Sequence, residues 1–149
     1  RHLLDNIFTT KDDLQTAVEA YNADVASAEA AYGPIADWDV SGITDMSYLF
    51  YNLQNFSADV SSWDTSSVTD MNFMFQSASA FNQPLSFDTS SVTDMSEMFR
   101  NAYAFNQPLS FDTAGVTNMY GMFVLAKKFN QPLSFDTSSV TDMRWMFSS

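Results

Sequence analysis

Cysteine is absent from the 149 residues, which removes disulfides, thiolate metal sites and thiol catalysis together. Histidine occurs once, as His2, so histidine triads and histidine-rich metal sites are excluded as well. Basic residues are scarce: six Lys plus Arg stand against 18 Asp plus Glu, a net charge of −12. Neutralising phosphates takes clustered Lys and Arg, so nucleic acid is not an expected partner, and attachment to an anionic membrane is disfavoured for the same reason. No apolar run approaches the ~20 residues of a membrane-spanning helix. The chain begins at Arg1, with neither initiator Met nor signal peptide, and reads as a processed form or a fragment, so targeting information is missing from it. Hydrophobic residues make up 46% and aromatics 15%, too much apolar material for a disordered chain, and the length fits one domain.

What the sequence does contain is a repeat. DTSSVTDM occurs at 64–71, 88–95 and 136–143, with DTAGVTNM at 112–119 and DVSGITDM at 39–46. FNQPLSF occurs at 81–87, 105–111 and 129–135. The period is 24 residues, preceded by one unit of 25 at 39–63 and followed by 14 residues of a further unit at 136–149. Apolar residues keep step with this period. All nine Met fall in two columns, Met46, Met71, Met95, Met119, Met143 and Met74, Met98, Met122, Met146, the second headed by Leu49. Twelve of the fourteen Phe fall in three more, leaving Phe8 and Phe73 outside. A 24-residue unit cannot bury such a set alone, whereas stacked units cover one another's apolar faces. The fold class expected is a repeat solenoid of leucine-rich-repeat-like coils over residues 39–149. QPLSF and SVTDM are read as short parallel β-strands, and the stretch after each as a short helical turn. Pro84, Pro108 and Pro132 share one repeat position, at or just outside the start of a strand.

Residues 1–38 do not repeat and read as a leader and helical cap. Thr10 followed by acidic Asp12 and Asp13 resembles a helix start, and Leu14, Ala17, Val18 and Tyr21 have amphipathic spacing. A second helix is expected over 24–32, closed by Gly33. No equivalent cap follows Met143, Met146 and Phe147. Either further chain or another molecule is expected to cover them.

WDVSGITDMSYLF and FNQPLSFDTSSVTDMSEMF resemble the BspA-like leucine-rich-repeat surface proteins, and more narrowly the tandem repeat of about 25 residues found in bacterial surface lipoproteins and some protists and algae. LQTAVEAY and AYGPIADWDV resemble the cap that often precedes that repeat, so the resemblance covers residues 10–149. The Leu-Ser-Phe-Asp sequence departs from relatives that carry one more residue before an aromatic-Asp pair, which shortens the turn. The resemblance implies an extracellular or cell-surface location and a role in adhesion or surface assembly. It supplies no catalytic residue and no cofactor.

Two Asp columns stand out: Asp39, Asp64, Asp88, Asp112, Asp136, and Asp45, Asp70, Asp94, Asn118, Asp142. A calcium site needs six to eight oxygens and no D-x-D-x-D cluster occurs, so turn capping is expected of the first and solvation of the second. The Asn column Asn82, Asn106, Asn130 is expected to bridge neighbouring coils through its side-chain amides. Asn55-Phe56-Ser57 is the one N-glycosylation sequon, and requires Asn55 to point outward. No nucleophile–base pair and no metal cluster is recognisable, so no enzyme is expected. The function expected is a non-enzymatic extracellular scaffold for recognition or adhesion, binding a protein or glycan through polar columns of Ser, Thr, Asp and Asn. The alternative is a structural subunit that joins further copies of itself head to tail into a filament, through Leu3, Leu4, Ile7 and Phe8 at one end and Met143, Met146 and Phe147 at the other.

Overall fold

A computed structural model describes residues 5–149. Its elements are helix α1, Lys11–Ala23, helix α2, Val25–Tyr32, and a short 3-10 turn, Ile35–Asp37. Thr10 starts α1, its hydroxyl oxygen accepting from the Asp13 N–H at 3.2 Å, and Asp13 and Asp12 favour the positive end of the helix dipole. Asp24 starts α2 in the same way, through the Ser27 N–H at 3.3 Å. Gly33 ends it in a left-handed conformation (φ 77°) that a Cβ would strain. Leu14, Ala17 and Val18 bury the inner face of α1.

The remainder is a column of stacked windings, one per repeat. Equivalent Phe rings lie over one another: Phe50, Phe75, Phe99, Phe123 and Phe147 stack at centroid distances of 5.0, 5.6, 5.5 and 5.5 Å. Phe56, Phe81, Phe105 and Phe129 form a second stack at 6.0 Å per step. Within each winding the two stacks touch at 4.2–4.4 Å. The Met, Val and Ala positions of the repeat close the core around them, most of them with no exposed surface. Trp38 stacks on Trp63 at 6.2 Å and joins the cap to this core.

The backbone overturns the expected leucine-rich-repeat solenoid. Among the described residues there is no β-strand, no sheet and, past residue 37, no helix. Parallel pairing is confined to isolated bridges at the second Asp column (Asp45 with Asp70, Asp70 with Asp94, Asp94 with Asn118, Asn118 with Asp142) and to Ile7 with Asp39. Immediately after each bridge the chain enters a run of overlapping turns. In the second winding, Met74, Gln76 and Ala78 donate their N–H groups three residues back, to Met71, Phe73 and Phe75. The alternate residues Met71, Phe73, Phe75 and Ser77 donate across to carbonyls of the next winding, on Asp94, Ser96, Met98 and Arg100. Every second amide therefore serves its own turn and the others serve the neighbour, which satisfies the buried backbone without a regular element. The turns are possible because two residues per winding are left-handed, Phe73 (φ 56°) and Ser77 (φ 60°) in this one, and only Gly121 among the equivalents is a glycine.

The QPLSF segments do not pair as strands either. Pro lacks the donor that a ladder needs, and side-chain amides do the joining instead. Asn82 Oδ1 accepts from the Asn106 N–H at 2.9 Å, and Gln107 Nε2 donates to the Asn82 carbonyl at 3.1 Å. Asn106, Asn130 and Gln131 repeat the arrangement one winding on. The Asn column thus bridges windings, at the surface rather than in the interior. At the corner after Trp63, Phe87 and Phe111, the buried hydroxyls of Thr65, Thr89 and Thr113 donate to Asp88, Asp112 and Asp136 carbonyls of the next winding at 2.9–3.0 Å.

Candidate binding surface

The polar columns expected to meet a partner are occupied with holding the windings. Asp39, Asp64 and Asp88 accept from the N–H and hydroxyl of the Ser two residues on, at 2.6–3.1 Å. The Ser hydroxyls, with the adjacent N–H groups, hold these three carboxyls below their ordinary pKa, and Ser138 does the same for Asp136. Thr69, Thr93, Thr117 and Thr141 donate their hydroxyls to the Thr carbonyl of the preceding winding. These groups present a surface whose hydrogen bonds are already made.

The second Asp column is neutralised at both ends. Lys11 Nζ on α1 lies 3.1 Å from Asp45. Burial pushes Asp45 up, but the Ser47 hydroxyl and N–H together with Lys11 outweigh it and leave the carboxyl lowered. At the other end Arg144 pairs with Asp142 at 2.8 Å and lowers it. In between, Asn118 Nδ2 donates to Asp94 at 3.1 Å. Asp70 lacks such a partner, and burial, then the charges of Asp94 and Asp45, raise it despite the Asn72 N–H. Among the described residues no group of three or more His, Asp or Glu is placed to hold a metal ion.

A different wall carries the chemistry that varies. From residue 64 onward the units are near-copies, and apart from small swaps (Ser to Ala or Gly, Asp to Asn) they differ only between the first Met and the second-stack Phe. The turns fix where those differing side chains go. Met71, Met74, Phe75, Ala78 and their equivalents in the inner windings point inward, and the residues between them line the wall, some exposed (Tyr48, Tyr51, Trp145) and some covered by their neighbours (Ser47, Ser96, Glu97). One column of it reads Tyr48, Phe73, Glu97, Gly121, Trp145, and another Tyr51, Gln76, Arg100, Val124, Ser148. Tyr48 stacks on Phe73 at 4.6 Å with Tyr51 edge-on at 5.6 Å, and both tyrosines are nearly half exposed. Farther along, Glu97 pairs with Arg100 at 2.7 Å and leans over Gly121, where a Cβ would come within 3.1 Å of its Cγ. Lys127 Nζ sits 5.0 Å above the Tyr103 ring, and the Arg144 guanidinium 5.7 Å from that of Tyr120. Arg100, Lys127, Lys128 and Arg144, four of the six Lys and Arg in this acidic chain, belong to the variable stretches. This wall was missed in the sequence, although its signal is there: the positions at which otherwise identical units disagree.

The expected assembly residues separate. Leu3 and Leu4 lie outside the described residues. Phe8 is not a surface residue: it is buried 5.1 Å from the Trp38 ring and 5.9 Å from Tyr32, because the Phe8 and Asp39 N–H groups pair the leader with the first winding. Ile7 is exposed. At the other end Met143 and Phe147 are exposed, Met146 is partly buried, and Trp145 adds 63% exposure to the same end. Asn55 is exposed while Phe56 is buried, and the Asn rims a groove between the helices and the first winding with Tyr21, Asn22 and Val25.

No helix among the described residues is long and apolar enough to cross a membrane. No curated protein and no solved structure matches the chain. Two overlapping stretches, residues 19–110 and 86–149, match the family described as Mycoplasma protein of unknown function, DUF285. Together they run through the second helix and every winding, and the chain belongs to that family.

Proposed function

We propose that this chain is a non-enzymatic recognition scaffold working outside the cell, in adhesion or in binding a protein or glycan at the cell surface. The observation that carries the reading is the confinement of sequence change, from residue 64 onward, to one wall of the repeated column. A rigid core that repeats, with exposed aromatic and cationic side chains that do not, is how a repeat protein encodes a binding surface. Tyr48, Tyr51 and Tyr103 offer ring faces and hydroxyls suited to sugars or to a protein partner. The likeness of the repeat to BspA-like surface proteins supports the extracellular placement. The head-to-tail filament has less support, because α1 already lies on the outer side of the first winding, with Gln15 Nε2 donating to the Leu49 carbonyl at 3.1 Å.

The test is a screen of the purified chain against immobilised glycans and extracellular proteins, repeated with Tyr48→Asn plus Tyr51→Ser. Asn tolerates the left-handed backbone at position 48, where φ is 61°. A ligand whose binding falls at least about tenfold in the double variant, at unchanged melting temperature, supports the reading. Binding that is indifferent to the wall but lost with Ser66 and Ser90 substitutions overturns it.

A further inference from the structure

Charge on the variable wall has the opposite sign to that of the chain. From residue 64 onward every acidic side chain but one stands in the two repeated Asp columns, and the exception is Glu97. The variable positions of the same stretch hold four cations, Arg100, Lys127, Lys128 and Arg144. Glu97 is spent on anchoring one of them. It is buried in the room that Gly121 leaves and fixes the Arg100 guanidinium at 2.7 Å, while the Arg100 side chain keeps 39% exposure. The Arg100 Nε is buried without a partner. Lys127 and Lys128 are exposed and make no ion pair among the described residues. Lys127 is steadied instead by the exposed Tyr103 ring, 5.0 Å from its Nζ. An open hollow of about 140 Å³ lies along the wall, across three windings, between Arg100, Tyr120, Val124, Trp145 and Ser148.

We infer that this part of the wall binds a carboxylated sugar, with Arg100 meeting the carboxylate in the hollow, Tyr120 meeting the pyranose ring, and Lys127 and Tyr103 adding positive charge and a second ring face beside them. The inference rests on the reading of the wall as a binding surface and names its ligand class. A guanidinium held through one N–H by Glu97 presents the rest of its planar fork to a second carboxylate, and charge-assisted hydrogen bonds of this kind are roughly twice as strong as neutral ones. Aromatic rings give a sugar an apolar face to pack on and a hydroxyl to bond. An acidic peptide would use the cations and leave the rings idle. A long polyanion such as a nucleic acid would run beyond the patch onto a chain whose net charge is −12. A single acidic sugar meets the local charge alone.

The test measures binding of the full chain to immobilised glycans carrying glucuronate, galacturonate or N-acetylneuraminate, each beside its methyl ester, which keeps the ring and removes the charge. Polyglutamate and single-stranded DNA supply negative charge without a pyranose. The expected result is binding of at least one carboxylated glycan that falls at least about tenfold on esterification, and about tenfold in Lys127→Gln plus Tyr103→Ser at unchanged melting temperature. Arg100→Lys keeps a cation for Glu97 but removes the planar fork, and should lose most of the preference for the acid over its ester. Equal binding of acid and ester overturns the inference. So does equal binding of polyglutamate or DNA, which would make charge alone the determinant, and so does the absence of binding to every carboxylated glycan. In each of these cases a neutral glycan or a protein whose binding depends on Tyr48 and Tyr51 would leave the broader reading of the wall standing, so the two failures are distinguishable.

Discussion

Asp70 stands in the middle of the second Asp column without the cation or side-chain amide that Asp45, Asp94 and Asp142 each have. Its raised pKa means that the folded chain holds the proton more tightly than the unfolded one. Its contribution to stability is therefore greatest below the ordinary carboxylate value and declines as pH rises through the raised one. Asp39, Asp64, Asp88 and Asp136 have the opposite sign: lowered in the fold, they contribute fully above the ordinary value, and the contribution is lost as pH falls through their lowered pKa. Asn118 shows what an amide does in the column, still accepting the N–H two residues on while donating to the Asp below. Asp70→Asn should accordingly raise stability at pH 7 by roughly 0.5 kcal/mol after solvent screening, with the gain vanishing at about pH 3. Urea titrations at the two pH values check it, and a gain that persists in acid would show that charge is not the cause.

At the scale of the element, the run of turns is where sequence and structure part. Met71, Met74, Phe75 and Ala78 have the i, i+3, i+4, i+7 spacing of an amphipathic helix, and the three-residue pairing of successive turns produces the same stripe. Periodicity alone cannot separate the two; left-handed residues can, but Phe73, Ser77, Glu97 and Asn101 are not the glycines that would announce them. The core columns, by contrast, were legible, because burial is set by the repeat and not by local conformation. So were the starts of α1 and α2, where Thr10 and Asp24 act through short-range hydrogen bonds. The strands expected at QPLSF failed because alternation of Leu and Phe records an inward and an outward side, and carries no information on whether a neighbour's backbone is within reach. A left-handed non-glycine costs roughly 1–2 kcal/mol, part of which glycine returns in chain entropy. Ser77→Gly should thus raise stability by about 0.5 kcal/mol, and Ser77→Ala should not, measured as shifts in the urea midpoint.

Across the whole molecule the same residue type has different weight according to its place in the column. Phe99 touches Phe75, Phe105 and Phe123 and has no exposed surface, whereas Phe147 has one stacked neighbour and 62% exposure. Phe99→Ala is expected to cost about 3–5 kcal/mol and Phe147→Ala under about 1 kcal/mol. Thermal melting of the two variants decides it, and equal losses would mean that the last winding is held as firmly as the middle ones. The variable wall belongs to this scale too. No single residue marks it, and it appears only when units are laid over one another, so reading each motif for its own chemistry passes it by. Finally, from Met71 to Ser77 and their equivalents the cross-winding amide bonds all point from the earlier winding to the later, four per winding, and outnumber those at Thr69, Ala80 and their equivalents that point back. Peptide dipoles aligned in this manner add, leaving partial negative charge at the first winding and partial positive charge at the last. An ammonium group, Lys11, sits at the first of these poles. Each additional winding would strengthen the polarisation, so a longer column of this kind would be a macroscopic dipole with its positive pole toward its last winding, drawing anions there even while the molecule as a whole repels them.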